Sequence, residues 1–346
     1  MAAKKEQTAL QEFKAALKSK TLGNFYVLHG EESFLTESYF AQIKKQIIDP
    51  VTEEFNFHRF TQENLNLRQF AECLEMLPVM AERTLLQVDD VDLFSLDEES
   101  RTSYAKLLSD LPPECCVVFT YRSVPFKPDK RKKALADAFA RAVVVEFQRQ
   151  TERDLGVWIA RHFAAQGKAI SPELCRYLIL LTGGSMTAMS GEIAKISAYT
   201  SGEEIRKSDI DAVVEPVLEA VTFDISNALA EGNFDLALRK LQEVLAMQEE
   251  PIPILAAVGA QMRRLHAACV LRDSGKGADQ LAGLCGISDY PARLTMKQAR
   301  GLSTERCAKA LILCMQADEQ IKSSYDDAVR ILELLFVRLS QEVFCD

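Results

Sequence analysis

NFYVLHGEESFLTE, residues 24–37, is an apolar run of strand character that stops at a glycine and passes straight into a helical pattern. A strand ending in glycine and opening a helix is where an α/β protein places a phosphate-binding turn, so this stretch decides the fold. Working outward, four further runs share its strand character: FNFHRF (55–60), TLLQVDD (84–90), CCVVFT (115–120) and AVVVEF (142–147). Helical patterns at 34–48, 98–109 and 130–141 lie between them, each long enough to return the chain to a parallel neighbour. Residues 20–147 therefore read as an open parallel α/β sheet of the nucleotide-binding type.

The turn itself lacks the chemistry for a nucleotide. A working version follows GxxxxGK[ST]: glycines let backbone N–H groups surround the phosphates, the lysine neutralises them and the hydroxyl ligates magnesium. Counting from Gly30, the second glycine position holds Leu35, the lysine position Thr36 and the hydroxyl position Glu37, while Glu31 and Glu32 add negative charge. Asp89 and Asp90 end the third strand as a magnesium-holding carboxylate would, but without the lysine and the hydroxyl they read as a solvated strand end. No nucleotide, cofactor or metal is expected. No GxSxG or HExxH occurs, His29 reads as a structural strand-end residue, and His58, His162 and His266 lie in ordinary strand or helix patterns.

After Phe147 the strand signals cease. Thr151 and Asp154 form a capping arrangement for a helix with Leu155, Trp158, Ile159 and Phe163 on one face. Ser171-Pro172 opens another, Gly183-Gly184 closes it, and a third runs over 186–199. Longer amphipathic patterns follow at 217–231, 234–248, 252–273, 291–301, 304–323 and 326–343, the last carrying ILELLFVRL (331–339). The chain thus reads as an α/β domain over 1–147, a small helical domain over 148–213 and a helical bundle over 214–346.

At 346 residues, three domains are the natural expectation. Hydrophobic residues at 48 % and charged residues at 26 % are ordinary for a folded protein. The net charge of −9 argues against a free-standing nucleic-acid binder, which would depend on neutralised phosphates. Apolar stretches such as 178–181 and 311–313 are too short to span a bilayer, and MAAKKEQTALQEFKAALKSK (1–20) is charged and amphipathic rather than a secretory leader. Nine scattered cysteines without a CxxC pair read as reduced core residues.

The most informative segment is NLRQFAECLEMLPVMAERTLLQVDD, 66–90. Asn66 can cap a helix with Leu67, Phe70, Leu74 and Leu77 on one buried face, and Pro78 ends the pattern. Val79 and Met80 then fall off that stripe, just before the charged turn Ala81-Glu82-Arg83. Two readings stand open: the pair folds back onto the sheet, or it forms an exposed plug for a partner's pocket, for which flexible methionine is suited.

YVLHGEESFLTES (26–38), LPVMAERTLLQV (77–88), SVPFKPDKRKKALADAF (123–139) and GGSMTAMSGEIAKISAY (183–199), the last with a Glu192–Lys195 pair, occur in that order. Together they resemble the delta subunit family of bacterial DNA polymerase III clamp loaders over the whole chain. The resemblance implies an AAA+-like module of two domains without an ATP site, followed by a helical collar joining a hetero-pentamer with gamma/tau and delta-prime subunits. It also implies a wedge of Val79 and Met80, with Leu77 contributing, that enters a pocket on the beta sliding clamp and opens it for loading onto primed DNA. The family usually has Leu-Phe at the first two wedge positions, so Val-Met is a departure. The run Lys127, Lys130, Arg131, Lys132 and Lys133 reads as a solvated helix start or as a DNA-proximal patch. A cytoplasmic, replisome-associated address follows, with no membrane partner. An active AAA+ ATPase with an irregular loop and a non-replicative adaptor remain as other readings.

Overall fold

The computed structural model describes residues 2–246, 250–323 and 326–344. The chain divides into two compact units, Met1–Gln150 and Thr151–Asp346.

In the first unit the five expected strands are all present: β1 (Phe25–His29), β2 (Phe57–Phe60), β3 (Thr84–Asp89), β4 (Cys115–Thr120) and β5 (Val143–Glu146). They form one sheet in the order β2-β3-β4-β1-β5, and every neighbouring pair is parallel. Helices α1 (Ala2–Ser19), α2 (Ser33–Ile47), α3 (Glu53–Asn56), α4 (Leu67–Glu75), α5 (Glu98–Ser109) and α6 (Lys133–Phe139) accompany it. The period-2 alternation of a strand splits its apolar residues between two cores. Phe25 and Val27 of β1 pack with Phe70 of α4, Tyr104 of α5 and Phe139 of α6. Tyr26 and Leu28 pack with Phe13 of α1 and Phe40 and Ile43 of α2. Burial on both faces is why Cys115–Phe119 of β4 reads as a continuous apolar run.

The helix expected over 130–141 is shorter, Lys133–Phe139. Asp129 accepts from the backbone N–H of Arg131, and the Lys132 N–H donates to the Asp129 carbonyl, so a local turn takes the place of the first helical turn. α4 ends at Glu75, and Leu77 is 77 % exposed instead of continuing the buried stripe of Phe70, Cys73 and Leu74. Pro78 disfavours helical geometry at the residue before it, which releases Leu77 from that face.

The second unit is helical: α7 (Glu152–Ala165), α8 (Pro172–Leu181), α9 (Met186–Tyr199), α10 (Lys207–Val213), α11 (Leu218–Ala230), α12 (Phe234–Ala246), α13 (Pro251–Asp273), α14 (Ala278–Cys285), α15 (Asp289–Gln298), α16 (Thr304–Ser323) and α17 (Ala328–Leu339). The end of the pattern at 234–248 lies outside the described residues. Thr151 and Ser171 cap α7 and α8 as expected, accepting from the N–H groups of Asp154 and Leu174. Trp158, assigned to the buried face of α7, sits at its edge with its ring 3.9 Å from that of His162. α10 and α14 were not anticipated, and α15 starts two residues before Pro291. α13 has the length and composition to cross a membrane. Its Leu255, Val258, Met262 and Leu265 are buried in a core shared with α16 and α17, as in the central helix of a bundle.

Cys73, Cys115, Cys116, Cys175, Cys269, Cys307 and Cys314 are buried free thiols. Burial pushes the Cys115 thiol up to about 11 and that of Cys116 to about 12.

Candidate protein-docking wedge and the closed phosphate turn

Between α4 and β3 the chain leaves the core. Asn66 fixes the start of α4 by accepting from the N–H groups of Arg68 and Gln69 at 3.0 and 3.2 Å. Beyond Glu75 the side chains of Met76, Leu77, Val79 and Met80 are exposed, Met80 at 91 %. Met80 has a left-handed backbone with φ 51°, a conformation that side-chain-bearing residues adopt at a cost. The tip is held from beneath by Asn56, the last residue of α3, which is fully buried. Its Nδ2 donates to the Val79 carbonyl at 2.9 Å, and its Oδ1 accepts from the Val79 N–H at 2.8 Å. On the far side, Arg83 donates to the carbonyls of Leu22 and Gly23 at 2.9 and 2.7 Å. It is a brace across the unit.

The wedge is therefore an exposed apolar point on a backbone tied down at both ends. Val79 and Met80 do not fold back onto the sheet; both side chains are exposed. Val51 and Phe55, on the segment that carries Asn56, are also exposed. Sequence reasoning passed over Asn56 because the run FNFHRF suggested strand throughout. The available signal was an amide flanked by two phenylalanines, since a buried polar group demands partners.

At the other end of the sheet the phosphate turn is filled by protein. Gly30 has φ +133°, and a Cβ built on it would lie 2.3 Å from the Phe147 carbonyl oxygen. The Glu32 N–H donates to that same oxygen at 3.0 Å, and the Phe147 N–H donates to the His29 carbonyl at 2.7 Å. Thr36, at the lysine position, is fully buried, and Leu35 packs into the α1–α2 core. Glu37, at the hydroxyl position, accepts from Arg122 Nη1 at 2.6 Å. The same guanidinium reaches Asp89 with Nη2 at 2.7 Å.

Asp89 is 3 % exposed and accepts also from Arg59 at 2.5 Å and from the Thr120 hydroxyl at 2.7 Å. It is thus a buried, fully partnered carboxylate, which corrects its reading as a solvated strand end. Asp90, in a left-handed conformation, accepts from the N–H groups of Arg122, Ser123 and Val124 at 2.7, 3.0 and 3.3 Å. Burial pushes its carboxyl up, but those three donors and the Arg122 charge outweigh it and hold the group below an ordinary aspartate. His29 lies 5.2 Å from the Phe126 ring, and burial lowers its pKa. Arg122 was not singled out in the sequence; its position two residues beyond β4 gives no hint of a partner 85 residues away.

The basic run is divided. Arg131 pairs with Asp129 at 3.0 Å, Lys132 donates to the Phe94 carbonyl, and Lys127, Lys130 and Lys133 are exposed. Glu192 and Lys195 pair at 2.7 Å along α9, worth a few tenths of a kcal/mol.

A parallel sheet in this order, a turn after β1 closed by the protein's own backbone and a helical second unit define an α/β protein of the nucleotide-binding type with a helical C-terminal half. The family "DNA polymerase III, delta subunit" matches residues 26–148, and that subunit's C-terminal domain matches 219–339. The DNA polymerase III subunit delta of Bacillus subtilis is 26 % identical over 330 residues, 94 % of this chain and 95 % of that protein. A probable subunit delta from Aquifex aeolicus is 20 % identical over 330 residues, with 92 % of each chain covered. Among solved structures, the Bacillus subtilis DNA clamp loader delta protein matches with a TM-score of 0.59 and 24 % identity, over 95 % of this chain and 99 % of that one. The chain belongs to the DNA polymerase III delta subunit family.

Proposed function

We propose that this protein is the clamp-opening subunit of a bacterial clamp loader: it grips the beta sliding clamp through Leu77, Val79 and Met80 and holds one clamp interface open for loading onto primed DNA. The observation that carries the reading is the exposure of these three side chains on a tied-down backbone. Burying a valine and a methionine contributes at most about 3–6 kcal/mol before association costs, enough for an interface hot spot.

Catalysis is assigned to the neighbours. Gly30, Leu35, Thr36 and Glu37 form a non-binding relic of a phosphate turn, in which Arg122 and the Phe147 backbone occupy the ground that phosphate and metal would need. The chain works without a cofactor, while gamma/tau subunits of the same pentamer, completed by delta-prime, bind and hydrolyse ATP. Residues 1–147 then serve as the clamp-gripping domain, 148–213 as a lid and 214–346 as the collar. The working address is the cytoplasmic replisome.

The test is a titration of the full chain with the sliding clamp of the same organism, without ATP, alongside Val79→Ala/Met80→Ala. Micromolar or tighter binding that weakens about 30-fold or more in the folded variant supports the reading. Equal binding by both chains, or none by either, removes it.

A further inference from the structure

We infer that Asn56 is the positioning residue of the wedge: its buried carboxamide holds Val79 by both backbone groups and so presets the tip for clamp capture. The inference rests on the clamp-binding reading above and adds how that site is kept competent.

Val79 needs two things that conflict. Its side chain must stay outside the core, at 41 % exposure, while its backbone must be fixed. No strand or helix fixes it, since the segment between α4 and β3 belongs to neither. Pro78 supplies no N–H, and among the described residues from Pro78 to Glu82 the hydrogen bonds to the rest of the unit are the two between Val79 and Asn56. A carboxamide carries a donor and an acceptor side by side. Asn56 therefore pairs with Val79 as the edge of a neighbouring strand would, without covering the valine side chain. Because Asn56 is fully buried at the end of α3, directly before β2, the tip takes its position from the sheet.

If this tie is cut, the tip samples other conformations and clamp affinity falls in proportion to the competent fraction. Asn56→Asp gives a readout that a merely structural asparagine would not. As a carboxylate it faces the Val79 carbonyl with acceptors only, which repel. Burial raises its pKa, and the protonated acid restores a donor beside an acceptor.

The experiment measures clamp affinity of the full chain for wild type, Asn56→Ala, Asn56→Asp and Val79→Ala/Met80→Ala, each also with amide hydrogen exchange at Val79. The expected results are about tenfold weaker binding for both Asn56 variants at neutral pH and faster exchange at Val79. The deficit of Asn56→Asp, relative to wild type, closes as pH is lowered. On the Val79→Ala/Met80→Ala background, Asn56→Asp adds no further loss. Should Asn56→Ala fail to fold, the pH profile of Asn56→Asp still decides. Clamp binding lost in Val79→Ala/Met80→Ala but intact in both Asn56 variants overturns this proposal alone. No clamp binding by the wild type overturns the underlying reading and this proposal with it.

Discussion

Arg122 reaches Glu37 across 85 positions of sequence, its Nη1 2.6 Å from the carboxylate Oε1. With Nη2 on Asp89, one guanidinium bridges the carboxylate that closes the turn and the one that ends β3, where a nucleotide-binding relative would need lysine, hydroxyl and magnesium. Arg122→Ala leaves Asp89 buried with one cation fewer. It is expected to lower unfolding stability by about 1–3 kcal/mol, read from urea denaturation. Arg122→Lys should recover less than half of the loss, because an ammonium cannot present a planar fork to two carboxylates at once. Full recovery by lysine would mean that charge alone matters here.

Gly30→Ala tests why the first glycine of the turn is a glycine. In a working phosphate turn it admits an anion; here the space belongs to the Phe147 backbone, whose atoms lie 2.3–2.7 Å from the point a Cβ would occupy. The left-handed φ costs about 1–3 kcal/mol and the overlap adds to it. The expected outcome is a marked drop in denaturation midpoint; an unchanged midpoint would mean that the end of β5 is readily displaced.

Asp90 predicts a pH dependence. Its folded carboxyl titrates below an ordinary aspartate, through three backbone donors and Arg122 acting against burial. A depressed folded pKa gives stability that is fully present above the unfolded value of about 3.9 and lost as pH falls through the folded one. Asp90→Asn should therefore show a smaller fall in urea midpoint between about pH 6 and about pH 3 than the wild type does. An identical fall would assign the acid sensitivity to other carboxylates.

The basic run makes a prediction about the assembled loader on primed DNA. Exchanging Lys127, Lys130 and Lys133 for glutamine should make the log affinity versus log salt slope shallower, by about 0.9 for each phosphate that is no longer neutralised. Substituting Arg131 should do less, since its guanidinium is already on Asp129. A slope unchanged by the triple substitution discards the DNA-proximal role.

What the sequence disclosed and what it hid follow one physical division. The central strands β3 and β4 were legible because burial on both faces writes itself locally as a concentration of Val, Leu, Phe and Cys. The off-stripe position of Val79 and Met80 was legible because Pro78 breaks the helical period. Leu77 was misplaced on the buried face because the helix stops before the stripe does. Asn56, Arg83 and Arg122 were invisible because each acts on a partner 23 to 85 residues distant, and long-range hydrogen bonds have no period. The short α10 and α14 offer too few turns for an amphipathic pattern to stand out.

The left-handed backbone of Met80 sets a filter on how this tip can drift over evolutionary time. Glycine and asparagine accept φ 51° readily, but they bring almost no apolar area to a docking pocket. Isoleucine and valine bring the area, but branching at Cβ resists that φ. Long or aromatic side chains without such a branch satisfy both demands best, so variation at this position should run through methionine, leucine and phenylalanine while shunning the aliphatic residues that ordinarily replace them.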